Sequence, residues 1–183
     1  MPISPTGAAA APTLSLSRVT ASACLFLAVA LPAFALYNSL QNPQLLIENL
    51  HLAKPLPAQS LTLFQHAVIA LLGTIPSLCQ AYGFYSVRAS FRSFAHRDYF
   101  TFPVVKGLRG FAAGLLFSIV AACLSTPLMS YLLTIDAGAG VHTITVGVGS
   151  EQVIGLIFAG IVWQIAGVMT SAVRIAEENS QFV

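Results

Sequence analysis

Long apolar stretches separated by short polar connections organise this chain. Four of them, at about 19–40, 61–83, 110–134 and 152–173, contain no Asp, Glu, Lys or Arg. Each is close to the ~20 residues that a helix needs to cross a ~30 Å hydrocarbon core. The pattern predicts an all-α membrane protein, a four-transmembrane-helix bundle formed by residues 19–183 behind a flexible cytoplasmic tail at 1–18. Between the third and fourth spans, His142, Ile144, Val146 and Val148 alternate with Thr143, Thr145 and Gly147 at the period of a half-buried strand. With residues 45–52 as the partner, this predicts a small extracytoplasmic β-like cap over the bundle. Ser150 and Glu151 then suit the start of the fourth helix, as a hydroxyl cap and a first-turn acid.

Positions within the spans predict how the helices meet, because helices in lipid associate through close backbone approach. Gly110, Gly114, Ser118, Ala121 and Ser125 share one face of the third span, and Gly160, Gln164, Gly167 and Ser171 share one face of the fourth. These two stripes are expected to face each other. On the second span His66, Ala70, Gly73, Ser77 and Gln80 form a further small and polar face, so a compact left-handed bundle is expected. Pro32, Pro76 and Pro127 each remove a backbone donor inside a span and favour a bend. The first span also contains a short apolar core followed by Ala33-Phe34-Ala35, as in a cleaved leader, which would remove the residues before about 36. The lack of Lys or Arg before Arg18 and the length of the apolar run argue for a retained helix.

Composition agrees with a chain solvated largely by lipid: 56% of residues are hydrophobic and 8% charged, with a mean hydropathy of +0.81. Charge placement adds orientation. Of the eight Lys and Arg residues, Arg88, Arg92, Arg97, Lys106 and Arg109 crowd between the second and third spans. Placing these with Arg18 and Arg174 inside leaves Lys54 outside, so both termini are expected in the cytoplasm. A formal charge of +2 gives no reason to expect direct nucleic-acid binding. Cys24, Cys79 and Cys123 lie inside spans and read as small apolar residues.

Candidate chemistry is sparse. No nucleophile elbow, paired-carboxylate site, HExxH helix or phosphate-binding glycine loop occurs, so the expectation is a protein that is not an enzyme and has no cofactor. His51, His66 and His142 match no zinc spacing. His66, Gln80 and Gln164 form a candidate intramembrane polar face, with His66 and Gln80 about 21 Å apart along one helix. They suit either a small transporter or channel subunit, or interhelical hydrogen bonds contributing about 0.6 kcal/mol each. The cytoplasmic connection says more. Helix continuing past Gly83 would set Phe84, Val87, Phe91 and Phe94 as an apolar ridge beside Arg88, Arg92 and His96, a suitable membrane-interface element. Thr101 could cap the next helix ahead of Pro103. Glu177 and Glu178 could latch onto the basic ridge at up to about 1 kcal/mol. Arg88, Phe91, Arg92, Phe94, Glu177, Glu178 and Asn179 are therefore the candidate cytoplasmic interaction surface. The expected partners are the bilayer, a cytoplasmic regulatory protein or a second copy of the chain.

The run Tyr82-Gly83-Phe84-Tyr85, then Phe91 and Phe94, Tyr99-Phe100-Thr101, Leu108-Arg109 and the terminal Ile175-Ala176-Glu177-Glu178-Asn179 with Phe182-Val183 resemble a family of small bacterial inner-membrane proteins, domain of unknown function 2975. The resemblance extends over residues 20–183. Members typically have Gly before the acidic-aromatic turn and Asn soon after it, where this chain has Arg97 and Phe102-Pro103-Val104. The resemblance implies a four-span fold and location and carries no chemistry. The placement of some relatives beside small helix-turn-helix regulators implies a sensing or regulatory role.

Overall fold

A computed structural model describes residues 11–44, 48, 62–96, 99–134 and 149–180. They form four long helices: α1 (Ala11–Gln41), α2 (Leu63–Ala95), α3 (Phe102–Thr134) and α4 (Ser150–Ser180). Each is long and apolar enough to cross a membrane, and the chain has the build of a multi-pass membrane protein. α1 begins at Ala11, inside the segment expected to be a free tail. The described residues contain no strand. The expected β-like cap is not supported, and residues 142–148 and 45–52 lie outside the described residues, except Glu48, which is helical.

α2 and α3 each run for 33 residues, about 50 Å at 1.5 Å per residue, against a hydrocarbon core of about 30 Å. About 20 Å of each helix is surplus to a perpendicular crossing. The apolar stretches 61–83 and 110–134 leave that surplus at 84–95 and 102–109, so the two helices continue as an antiparallel hairpin at one end. This end carries Arg18, Arg88, Arg92, Lys106, Arg109 and Arg174, and is called the basic end below.

The helices pack in chain order. Among the described residues α1 lies on α2, α2 on α3 and α3 on α4, and no other pair shares a packed interface. The result is a four-helix bundle whose packed interfaces run in a row from α1 to α4. Its centre is the α2–α3 pair, where glycines let backbones touch: a Cβ on Gly114 would lie 2.6 Å from Gly83 Cα and 2.9 Å from the Cys79 carbonyl oxygen. Gly110 similarly abuts Ser86. The stripe on α3 thus meets α2 and not α4. On α4 the face turned to α3 is Ala159, Val162, Ala166 and Val173, all buried. Gly160, Gln164 and Ser171 are exposed, and a Cβ on Gly160 or Gly167 would meet nothing within 4 Å. Two stripes of small residues, one position apart, compete on this helix, and the more apolar one packs inward while the amide stays out.

At the end opposite the basic one, Ile69 and Leu72 of α2 interlock with Met129 and Leu133 of α3. Thr62 and Gln65 close a reciprocal cap there: the Thr62 N–H donates to Gln65 Oε1 at 2.9 Å and the Gln65 N–H to Thr62 Oγ1 at 3.3 Å. Buried Gln65 also donates through Nε2 to the Leu133 carbonyl at 3.5 Å. Gln65→Ala removes the side-chain half of the cap and the link to Leu133, and is expected to lower unfolding stability by about 1–2 kcal/mol in detergent. Mild denaturant titration measures it. α4 starts at Ser150, so the expected hydroxyl cap lies one residue too late. Gly149 precedes the helix and donates its N–H to Gln152 Oε1 at 2.9 Å. Pro32, Pro76 and Pro127 lie inside helices. Next to two of them, Ser77 donates to the Thr74 carbonyl and Ser130 to the Pro127 carbonyl, at 2.7 and 2.9 Å.

Candidate functional site: the basic end

Ser90 and Gly107 form the joint that holds α2 against α3 at the basic end. Ser90 is fully buried, donates through Oγ to the Val104 carbonyl at 2.9 Å, and occupies the space that a Gly107 side chain would need. Val104, Val105 and Val87 are buried around it. Valine side chains on both helices and a glycine opposite a serine let the hairpin remain closed beyond the apolar spans.

The described residues at either end of the connection, His96 and Tyr99 to Thr101, are held by local hydrogen bonds and rings. The His96 N–H donates to the Ser93 carbonyl at 2.9 Å, and the Val104 N–H to the Thr101 carbonyl at 3.1 Å. Thr101 therefore starts α3 through its backbone. Its hydroxyl is buried with no hydrogen-bond partner among the described residues, so it does not serve as the side-chain cap expected. Phe94 is edge-on to Phe91 at 6.0 Å and stacked with Tyr99 at 5.9 Å. Phe84 and Phe111 join α2 to α3 at 5.6 Å, and Phe111 meets Phe158 of α4 at 6.4 Å. The half-buried Phe91 and Phe94 thus pack against each other and Tyr99, and other aromatics are more exposed: Tyr85 is 61% exposed, Phe100 60% and Phe102 66%.

Two hollows flank the hairpin. One, of about 530 Å³, lies between α2 and α3 and is lined by Tyr82, Tyr85, Phe102, Pro103 and Lys106 among others. The second, of about 370 Å³, lies between α1 and α2 and is lined by Arg18, Ala21, Ser22, Arg88, Arg92, Ala95 and His96. Arg88 and Arg92 are one turn apart on α2, and α1 brings Arg18 to them. No ion pair joins any of these arginines among the described residues; the ion pair present at this end is Arg174 with Glu178, 3.6 Å apart within α4. Glu178 is thereby turned to its own helix and not to the basic ridge. Glu177, Glu178 and Asn179 are exposed on α4, which packs on α3, whereas Arg88, Phe91, Arg92 and Phe94 lie on α2.

The intramembrane polar residues are not brought together. His66 Nδ1 lies 3.1 Å from the Thr62 carbonyl in the first turn of α2. Gln80 is half-buried on the same helix, and Gln164 is exposed on α4, which shares no packed interface with α2. None of them lines either hollow. No group of three or more His, Cys, Asp or Glu residues converges among the described residues, and His51 and His142 lie outside them.

Sequence reasoning passed over Arg18, Gln65, Ser90 and Gly107. Gly107 extends the Gly110 and Gly114 stripe by one turn, at spacings of three and four, and that pattern locates the joint. Arg18 had no such signal, because its role depends on which helix α1 packs against. Compared with known proteins, the chain matches no family model, no curated protein and no solved structure.

Proposed function

We propose that this chain is a non-enzymatic component of the bacterial inner membrane that works by interaction, in sensing or regulation, with the cytoplasmic end of the α2–α3 hairpin as its contact element. The observation that carries this reading is the surplus length of α2 and α3 together with the outward aromatics at their joined ends. A membrane anchor needs only helices that span, whereas a closed hairpin extended by about 20 Å with Tyr85, Phe100 and Phe102 turned outward offers a rigid aromatic-basic surface. The positive-inside bias supports placing the basic end in the cytoplasm. The hollow formed by Tyr82, Tyr85, Phe102 and Lys106 suits an apolar side chain flanked by an acid.

Photo-crosslinking residues introduced in cells at Tyr85 and Phe100 test this, with Phe64 at the opposite end of α2 as control. The expected result is one protein captured from both hairpin positions and absent from Phe64. Purified partner should then bind Tyr85→Ala/Phe102→Ala at least about tenfold more weakly than the parent chain. Lipid adducts alone from all three positions would reject the interaction role.

A further inference from the structure

We infer that the hollow between α1 and α2 is a binding site for the phosphate of an anionic phospholipid, held by Arg18, Arg88 and Arg92. Bilayer anchoring by scattered basic residues would not require these three to converge. Arg92 alone has an ordinary explanation as a cation in the last turn of α2. Arg88 lies one turn earlier, and Arg18 comes from a different helix, yet all three line one cavity with His96. Among the described residues no carboxylate lines it. Several guanidinium groups around one space repel one another, and an anion between them reverses the sign of that interaction. Arginine suits the role because its planar fork binds two phosphate oxygens at once.

The second observation separates a lipid from a soluble anion. Arg18 and Ser22 line both the basic cavity and a shallow apolar face of α1 formed with Val19, Ala23 and Phe26. Val19 and Phe26 belong to the first apolar stretch and are turned outward. A phosphate in the cavity would therefore have its acyl chains along this face, with the headgroup at the depth where the apolar stretch begins. A free phosphate would use only the first half of the arrangement. Basic pockets between transmembrane helices at headgroup depth are built for this class of ligand. The site stands independently of the interaction role proposed above.

Native mass spectrometry of the purified full chain, titrated with phosphatidylglycerol or phosphatidylcholine, tests the assignment. Phosphatidylglycerol is expected to bind at least about tenfold more tightly than phosphatidylcholine, with that preference lost in Arg18→Gln/Arg88→Gln. Lys106→Gln and Arg174→Gln, which remove basic groups outside the cavity, should keep it. A thermal melt establishes that each variant is folded, and Arg88→Lys, which keeps the charge and loses the fork, should show an intermediate preference. Equal binding of the two lipids, or equal loss in the Lys106→Gln and Arg174→Gln controls, would overturn the site. Displacement of phosphatidylglycerol by inorganic phosphate at matching concentration would overturn the lipid as occupant.

Discussion

Replacing Gly114 with leucine is expected to separate α2 from α3 and to cost about 3 kcal/mol or more of unfolding free energy. The backbones cross at this residue: even a single added carbon would lie 2.6 Å from both the Cα and the nitrogen of Gly83. Those atoms cannot swing aside as the tip of a flexible side chain can. Accommodation requires the whole helix to move, which also opens the Ile69, Leu72, Met129 and Leu133 cluster and the Ser90 joint at the two ends of the same interface. Gly160→Leu is the matched control, since nothing lies within 4 Å of its added carbon, and it should change stability by no more than about 0.5 kcal/mol. Unfolding of both variants in mixed micelles gives the comparison. Equal loss from the two would mean that the row of helices is wrongly drawn.

Gly107→Ala should cost about 2 kcal/mol and should be partly repaired by Ser90→Ala. The added methyl overlaps Ser90 Oγ and lies 2.8 Å from the Ser86 carbonyl oxygen. Removing the hydroxyl relieves the first conflict and leaves the second, while the Val104 carbonyl loses its donor. Ser90→Ala by itself is therefore destabilising, by about 1 kcal/mol, and the double variant should be more stable than the sum of the single losses predicts. A double-mutant cycle measures that coupling directly. Strict additivity would mean that Ser90 and Gly107 do not touch.

Much of the architecture follows from patterns visible in the chain. Charge-free runs of about 20 residues mark four helices because lipid offers no partner to an unpaired backbone and charge at bilayer depth is costly. The continuation of helix beyond Gly83 follows from the spacing of Phe84, Val87, Phe91 and Phe94. What small-residue stripes do not reveal is which neighbour they meet. Gly110 and Gly114 read equally well as a surface for α2 or for α4, and the choice depends on the opposing Gly83 and Ser86, which are close in space and not in sequence. On α4 the pairs Ala159 with Ala166 and Gly160 with Gly167 have identical spacing, so periodicity alone could not rank them. Gln164 breaks the tie, because it shares the glycine face and burying its amide would demand hydrogen-bond partners. The basic cavity was legible only in part: Arg88 and Arg92 stand out one turn apart, whereas Arg18 joins them through the packing of α1 on α2.

Because every helix rests on the one synthesised immediately before it, the protein can assemble in the order of its translation. α2 meets a finished α1 and α3 a finished α2, and no helix must wait in the bilayer for a distant segment to arrive. Closed bundles, in which the first and last helices seal against each other, lack that property. Among the described residues α4 has its packed interface with α3, so its removal would leave the α1–α2 and α2–α3 interfaces in place.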